Sequence, residues 1–379
     1  MYSASVFLTT LSSFIFIRLL KNLESINSKI KNQNAKLNLK IHSKLLTNLL
    51  CKQNYLPYIL VNIALVYTDY YGWLVVFTQG IVLLCTKRFR LFLISNSLFL
   101  LFYLPWLNML ITQMQAGVQA THTLPVWVSL VNLSILKAIP LTFIKFAIGR
   151  ISFPDKHFYF LVIVVVTVVY IVLGILGGLG YLGRLNKKIT RPVILSYLIL
   201  WFFIPLMIAW LVSFKVPNFQ PFRLLLILPA FHILTIYLIS NIQYPSLRRA
   251  IITMVIMVNL GGYLYFQLTP SMHREDWRGL TGFTDRDKAT LVIPSESSNW
   301  PVRYYTNGGT QLVYGATGAE QVSQPPAISG NIVYYLRYLV PVFDPGEKLV
   351  KQLQTLGYNK TDTINFNQLE VWRYQRNNF

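Results

Sequence analysis

Acidic residues are scarce in this sequence, and charge of either sign is uncommon. Aspartate and glutamate together number 13 among 379 residues, and all charged residues make up 12% of the chain. Soluble domains usually carry about 25% charged residues, so this composition argues against a wholly soluble protein. Hydrophobic residues account for 54%, and several apolar runs reach about 20 residues, which suffices for a helix to cross a bilayer. The sequence therefore predicts a polytopic α-helical membrane protein.

The few acidic residues are unevenly placed, and their placement divides the chain. Only three precede the last third of the sequence: Glu24, Asp69 and Asp155. The tail that holds the others also contains short β-branched stretches and turn signals such as "TNGG" and "DPGE". We therefore expect a polytopic membrane region at 1–268 and a small extracytoplasmic α/β domain at 269–379.

Within this tail, three segments carry secondary-structure signals. "ATLVIP" has the β-branched content of a strand, which we place near 289–294. "EKLVKQLQTLGY" has apolar residues at helical spacing followed by a terminating glycine, so it predicts a helix near 347–357. Strands are expected near 362–374.

Cysteine is almost absent, and so are the common metal-binding motifs. Cys51 and Cys85 lie beside basic stretches that are typical of cytoplasmic loops, so we expect no structural disulfide. No C-x-x-C or H-E-x-x-H spacing occurs in the sequence. The net charge of +21 comes mostly from short loops between apolar runs, where lysine and arginine orient helices rather than bind polyanions. We therefore expect no nucleic acid among the partners.

The basic loops also predict how the helices are threaded. Four basic stretches are expected on the cytoplasmic side: 20–54, 86–90, 183–192 and the loop with Arg248 and Arg249. Between the basic stretches 20–54 and 86–90, the chain must cross the membrane to the outer side and return. The one polar interruption of this apolar segment is "YTDYYG" (67–72). Asp69 is therefore placed at the outer end of a helical hairpin. At mid-bilayer depth a carboxylate would cost a few kcal/mol or more.

The segment 115–156 is expected on the outer side, because two membrane crossings fit the cytoplasmic loops on either side and three would not. The runs 91–114 and 157–182 both look like full spans, and the loops flanking the pair are both inside. The apolar stretch 126–150 is then expected to lie as a helix in the outer interface. With the remaining runs this gives about eight transmembrane helices plus one interfacial helix in a multi-pass protein of the plasma (inner) membrane. The predicted spans are 2–20, the two arms of the hairpin, 91–114, 157–182, 193–214, 223–241 and 250–267.

Four stretches resemble a known family in their order along the chain. The hairpin "LVYTDYYGWLVVFTQ" is similar to a motif of the GT-C superfamily, the polytopic glycosyltransferases related to protein O-mannosyltransferases and the lipid A aminoarabinose transferase. "FLLFYLPWLNMLITQ" resembles the Leu-Pro-Trp helix that follows in that family. "PNFQPFRLLLILPAF" resembles its Pro…Arg-Tyr…Pro helix, and "HREDWRGLTGF" resembles the Asp-Trp-Arg segment that opens its C-terminal domain.

The sequence also departs from this family. The histidine that the family has at the hairpin tip is Asp69 here, and the tyrosine after its arginine is Leu224. The family's catalytic acid lies in a large extracytoplasmic loop near its N-terminus, for which this sequence has no counterpart. We therefore expect a family member that lacks its N-terminal part and the catalytic acid with it, and whether activity survives stays open.

The resemblance implies an inverting transfer of a sugar from a polyprenyl-phosphate donor to a lipid, glycan or protein acceptor at the outer face, in protein glycosylation or in the cell envelope. Asp69 is the candidate catalytic base or sugar-hydroxyl ligand. Tyr67, Tyr70 and Tyr71 are candidates for stacking on the sugar, and Arg223 for binding the phosphate. No cofactor is required by the residues themselves, although the family chemistry is compatible with a divalent metal.

Structural roles compete with each of these assignments. Asp69 can be a helix-end carboxylate paired with a basic side chain, the tyrosines can belong to an interfacial aromatic belt, and Arg223 can extend toward lipid headgroups. Two other functions also stay open, a non-catalytic membrane scaffold and a transporter. The sequence offers neither a midplane acidic residue nor the paired broken helices that favour a transporter.

Overall fold

The computed structural model describes residues 2–31, 55–124, 126–127, 134–151, 153, 155–184, 192–216 and 219–376. The chain forms two compact units. The first comprises Met1–Met109, Leu133–Gly149 and Phe153–Leu260, and the second Leu110–Asn132, Arg150–Ser152 and Gly261–Phe379. The basic stretches 20–54 and 183–192, predicted to be cytoplasmic, lie largely outside the described residues.

Helices dominate the chain as far as residue 268. They are α1 (Tyr2–Lys31), α2 (Tyr55–Thr68), α3 (Gly72–Cys85), α4 (Phe89–Tyr103), α5 (Leu107–Thr123), α6 (Ile135–Ile148), α7 (Lys156–Arg184), α8 (Pro192–Val212), α9 (Leu228–Asn241) and α10 (Pro245–Leu268). Short 3₁₀ turns join α4 to α5 at Leu104–Trp106 and lead into α9 at Pro221–Ile227.

Six helical segments in the described part of the chain are long and apolar enough to cross a membrane. They are Tyr2–Glu24, Phe89–Thr123, Lys156–Tyr181, Val193–Val212, Pro221–Asn241 and Pro245–Leu268. By the length and composition of these helices, the chain is a multi-pass membrane protein. The hairpin helices α2 and α3 have 14 residues each, a rise of about 21 Å, which is less than the roughly 30 Å of a hydrocarbon layer. The count of eight spans and their orientation stay predictions.

Two predicted segments have different bounds in the structure. The span expected at 91–114 belongs to a helical segment that continues from Phe89 to Thr123. Pro105 lacks an amide hydrogen, and the chain passes it through one 3₁₀ turn instead of ending the helix. Helix α6 lies within the stretch 126–150 and buries Ala138 and Ala147. Its expected place in the outer interface stays a prediction.

Glycine allows α7 and α9 to approach closely. A Cβ atom added at Gly180 would lie 1.9 Å from the carbonyl oxygen of Asn241, and one added at Gly177 would lie 2.6 Å from that of Leu238. Only glycine fits such backbone contacts, which are typical of packed membrane helices. A Cβ atom at Gly178, in the same helix, would meet nothing within 4 Å.

A buried hydrogen-bond network joins four helices of the first unit. The Ser12 hydroxyl of α1 donates to Asn62 Oδ1 of α2 at 2.8 Å, and Gln79 Nε2 of α3 donates to Ser12 Oγ at 2.8 Å. Gln79 Nε2 also lies 3.3 Å from the hydroxyl of Tyr197 in α8, which donates to Ser13 at 2.8 Å. All five side chains are buried. The polar groups therefore satisfy one another among apolar helices, where water is excluded.

The tail contains a five-stranded sheet with the order β2-β1-β3-β5-β4. The strands are β1 (Thr290–Ile293), β2 (Gln311–Tyr314), β3 (Ile332–Leu336), β4 (Tyr358–Phe366) and β5 (Leu369–Arg376). Strand β1 is parallel to β2 and β3, while β5 is antiparallel to both β3 and β4. The predictions of a strand near 289–294 and of strands near 362–374 are confirmed by β1 and by the β4–β5 hairpin.

Four short helices complete the tail: α11 (Trp277–Arg286), α12 (Trp300–Tyr305), α13 (Val340–Phe343) and α14 (Lys348–Thr355). Helix α14 confirms the prediction near 347–357, and Gly357 after it has a φ of 78°, a conformation that suits glycine at a helix end. The central strand β1 is buried on both faces of the sheet, whereas the edge strand β4 is largely exposed. Along β1, Val292 joins the core that includes Leu349 of α14, while Leu291 joins the core that includes Leu280 of α11.

Candidate functional site

The polar turn between α2 and α3 holds a buried carboxylate. Asp69 is 7% exposed. The backbone N–H of Tyr71 donates to Asp69 Oδ1 at 3.0 Å, and the hydroxyl of Ser5 in α1 donates to Oδ2 at 3.2 Å. An aspartate that binds the backbone two residues ahead stabilises a tight turn. The turn also requires Gly72, because a Cβ atom there would lie 2.8 Å from Leu65 Cγ.

Arg223, from a distant part of the chain, interacts electrostatically with Asp69 and Tyr71 in this turn. Burial raises the pKa of the Asp69 carboxyl, while the N–H of Tyr71, the Ser5 hydroxyl and the positive charge of Arg223 oppose that rise. Burial likewise raises the pKa of Tyr71, against the charge of Arg223. The 3₁₀ turn that carries Arg223 also packs on α1, where the ring centroids of Tyr2 and Phe222 lie 5.4 Å apart. We call Ser5, Asp69, Tyr71 and Arg223 the tip cluster.

The other two candidate tyrosines have different neighbours. Tyr67 donates its hydroxyl to the carbonyl oxygen of Phe102 at 2.6 Å, and its ring centroid lies 5.7 Å from those of Tyr103 and Trp106. Trp106 Nε1 donates to the Tyr70 hydroxyl at 3.1 Å. Tyr67 and Tyr70 are each 39% exposed. The structure thus divides the predicted tyrosine set. Tyr71 joins Asp69 and Arg223, whereas Tyr67 and Tyr70 pack on the Leu-Pro-Trp turn.

One member of the tip cluster, Ser5, was not predicted from the sequence. Ser5 lies within an apolar stretch of α1, is 2% exposed and binds the carboxylate directly. A serine inside an apolar helix usually satisfies itself on its own backbone, so its residue type gave no signal. What distinguishes Ser5 is its contact with Asp69, which forms only in the folded chain.

The tip cluster combines three chemical capacities. A carboxylate in a desolvated setting can accept a proton from a hydroxyl group. A guanidinium group can bind phosphate oxygens through two parallel N–H bonds. Tyr71 adds a hydroxyl and a flat ring beside both. Among the described residues, no group of three or more histidine, cysteine, aspartate or glutamate side chains is placed to hold a metal ion.

Comparisons with protein-family models, with curated proteins and with solved structures found no match to this chain. The resemblance to the GT-C superfamily therefore rests on the four quoted stretches alone. The roles assigned to Asp69, Arg223 and the three tyrosines stay predictions.

Proposed function

We propose that this chain is a membrane glycosyltransferase of GT-C type, which transfers a sugar from a polyprenyl-phosphate donor to a lipid, glycan or protein acceptor at the outer face of the plasma membrane. In this proposal, α2 and α3 complete a set of eight membrane helices, α6 lies in the outer interface and the tail is extracytoplasmic. The observation that carries the proposal is the buried Asp69 carboxylate within electrostatic reach of Arg223, at the turn that resembles the family motif.

Arg223 is assigned to the donor phosphate. The leaving group of the reaction is a polyprenyl phosphate, on which negative charge increases as the sugar departs. A nearby cation stabilises that charge most effectively where water is scarce. The guanidinium group suits this role because its shape matches phosphate oxygens and its charge persists at all physiological pH values.

Asp69 is assigned to the acceptor. As base, its carboxylate takes the proton of the acceptor hydroxyl, whose oxygen bonds to the anomeric carbon from the face opposite the phosphate. The bond between that carbon and the phosphate oxygen breaks, and polyprenyl phosphate leaves with the electron pair. A carboxyl group whose pKa is raised by burial is a stronger base than an ordinary one. Ser5 and the N–H of Tyr71 hold the carboxylate in position, and the exposed rings of Tyr67 and Tyr70 offer faces to a sugar.

The proposal is tested by binding of undecaprenyl phosphate to the full chain in nanodiscs. Hydrogen bonds to charged groups contribute about 1.5–3 kcal/mol each, so Arg223→Ala should weaken binding roughly 10- to 150-fold. Arg223→Lys keeps the positive charge but loses the paired N–H donors of the guanidinium group, so its affinity for undecaprenyl phosphate should lie between those of Arg223→Ala and the wild type. Arg248→Ala is the control, because Arg248 lies outside the tip cluster.

Transfer is measured separately, with polyprenyl-phosphate sugars and membrane extract as the acceptor source. Asp69→Asn keeps the size of the side chain but removes its basicity, so it should reduce transfer while leaving undecaprenyl phosphate binding nearly unchanged. Equal binding by wild type and Arg223→Ala would refute the assignment of the phosphate site.

A further inference from the structure

A second surface with recognisable chemistry lies on the tail, on helix α12. The side chains of Trp300, Tyr304 and Tyr305 are 70%, 80% and 41% exposed. Elsewhere in the described residues 269–376, Leu356 is the other large apolar side chain that is exposed, at 36%. Exposed tryptophan and tyrosine are thus concentrated on one short helix, and clusters of this kind mark binding surfaces.

Two of the three rings lie along one side of this helix. Trp300 and Tyr304 are four residues apart, so their side chains are neighbours on one face, separated by a rise of about 6 Å. The ring of Tyr305 stands edge-on to that of Tyr304, with centroids 5.0 Å apart and an interplanar angle of 86°. Two large rings therefore follow one another over a length comparable to a sugar unit.

An ion pair lies beside the rings. Arg303 forms a salt bridge with Glu296, and its Nε donates to the hydroxyl of Tyr314 at 3.3 Å. The guanidinium carbon lies 5.7 Å from the ring centroid of Trp300 and 5.6 Å from that of Tyr314. The charge of Arg303 is thus balanced within the surface. We call this surface the α12 patch; its members are Glu296, Trp300, Arg303, Tyr304, Tyr305 and Tyr314.

We propose that the α12 patch binds a neutral glycan. The C–H groups on one face of a pyranose ring carry slight positive charge and lie favourably against the negative face of an aromatic ring. Sugar hydroxyls can donate to Glu296 and accept from Arg303 and from the tyrosine hydroxyls. Tryptophan and tyrosine side chains have only two rotatable bonds, so they lose little conformational entropy when they bind. This inference goes beyond the proposed function, because it requires no sugar transfer and uses no residue of the tip cluster.

Charge and composition favour this ligand over two others. An anionic ligand would meet Glu296, and it would have to compete with Glu296 for Arg303. A membrane-binding surface typically combines tryptophan with leucine or phenylalanine and with basic residues available to lipid phosphates. The exposed apolar side chains of the α12 patch are tryptophan and tyrosine only, and its arginine is already paired.

The test uses the full chain in nanodiscs and fluorescently labelled hexasaccharides. Neutral probes built from glucose, mannose, galactose and N-acetylglucosamine are compared with an anionic hyaluronan hexasaccharide by fluorescence polarisation. At least one neutral probe should bind more tightly than hyaluronan. The double variant Trp300→Ala, Tyr304→Ala should weaken that binding at least about 10-fold, because it removes both large rings against which the sugar packs. Leu356→Ala and Arg248→Ala, which lie outside the α12 patch and the tip cluster, should leave it unchanged.

Three outcomes would overturn the inference: no binding of any neutral probe, equal binding by the double variant, or preference for hyaluronan. A fourth concerns the bilayer. In a chain with Cys51→Ser and Cys85→Ser, Tyr304→Cys should react with a membrane-impermeant maleimide equally fast in nanodiscs and in detergent. Protection by the nanodisc lipid would assign the α12 patch to the membrane surface instead. Because undecaprenyl phosphate binding is measured separately, failure here and failure of the proposed function are distinguishable.

Discussion

Replacing Gly180 by alanine should destabilise the helical unit, whereas the same replacement at Gly178 should not. At Gly180 the new Cβ atom would lie 1.9 Å from a backbone oxygen of Asn241, and real Cβ contacts essentially never fall below 3.0 Å. Neither side of this contact can rotate away, because a backbone atom and a Cβ atom have no rotamers. Helices α7 and α9 must therefore separate by roughly 1 Å, and overpacking of this kind costs about 1–3 kcal/mol or more.

Gly178 is the matched control in the same helix. Its Cβ atom would meet nothing within 4 Å, and alanine is a better helix former than glycine by about 0.8–1 kcal/mol in peptides. Gly178→Ala should thus be neutral or slightly stabilising. Gly177→Ala should fall on the destabilised side, since its nearest contact would be 2.6 Å.

The assay is thermal unfolding of the purified chain in a mild detergent, followed by the fraction that remains monodisperse in size-exclusion chromatography. The expected order of midpoints is Gly178→Ala at or above wild type, then Gly177→Ala, then Gly180→Ala. Equal midpoints for Gly180→Ala and Gly178→Ala would refute the close packing of α7 on α9.

Two further predictions concern buried polar groups and pH. Asn62→Leu should destabilise the chain by about 1–2 kcal/mol in the same assay, because it leaves Gln79 and Ser12 with fewer hydrogen-bond partners. Asn259→Leu should have little effect, because the exposed side chain of Asn259 donates to the carbonyl oxygen of Val255 in its own helix. A larger loss of stability in Asn259→Leu than in Asn62→Leu would contradict the network. Asp285 is buried only slightly, which acts to raise its pKa, but hydrogen bonds from Asn307, Thr310 and Thr306 outweigh this and lower the pKa. The stability that Asp285 confers is thus present above its ordinary pKa of 3.8 and lost as the pH falls through the lower folded value. Acid unfolding of Asp285→Asn, followed by circular dichroism, should therefore depend less steeply on pH than that of the wild type. An unchanged acid transition would contradict the role assigned to Asp285.

The tail was the more predictable part of the chain. "ATLVIP" and "EKLVKQLQTLGY" carry their periodicity within a few residues, and local pattern is what sequence analysis detects. The order of the strands depends on contacts between distant segments, and no short stretch specifies it. The parallel pairing of β1 with β2 and β3 was accordingly not foreseen.

The tip cluster was predicted from the sequence only in part. Asp69 was found because a carboxylate in an apolar run is conspicuous, and the structure brings it together with Arg223 and Tyr71. The hydroxyls of α1 gave no such signal. Thr9 and Thr10 bond the backbone of their own helix, whereas Ser5 bonds Asp69. All three residues offer a hydroxyl group on the same helix, and they differ in which neighbour that hydroxyl reaches once the helices are packed.

In the proposed topology α3 crosses the membrane, and its shortness then has a consequence for the electric field across the bilayer. Its 14 residues rise about 21 Å, so Asp69 before it and Lys87 after it are closer along the helix than the roughly 30 Å thickness of a hydrocarbon layer. Lipid around such a helix would have to thin, but eight of the 14 residues are buried by protein instead. The polar ends of α3 thus lie closer together within the bundle than the two surfaces of the hydrocarbon layer. In that topology a transmembrane potential would fall over a shorter distance along α3 than through the surrounding lipid, and a charge moved along α3 would experience a correspondingly steeper field.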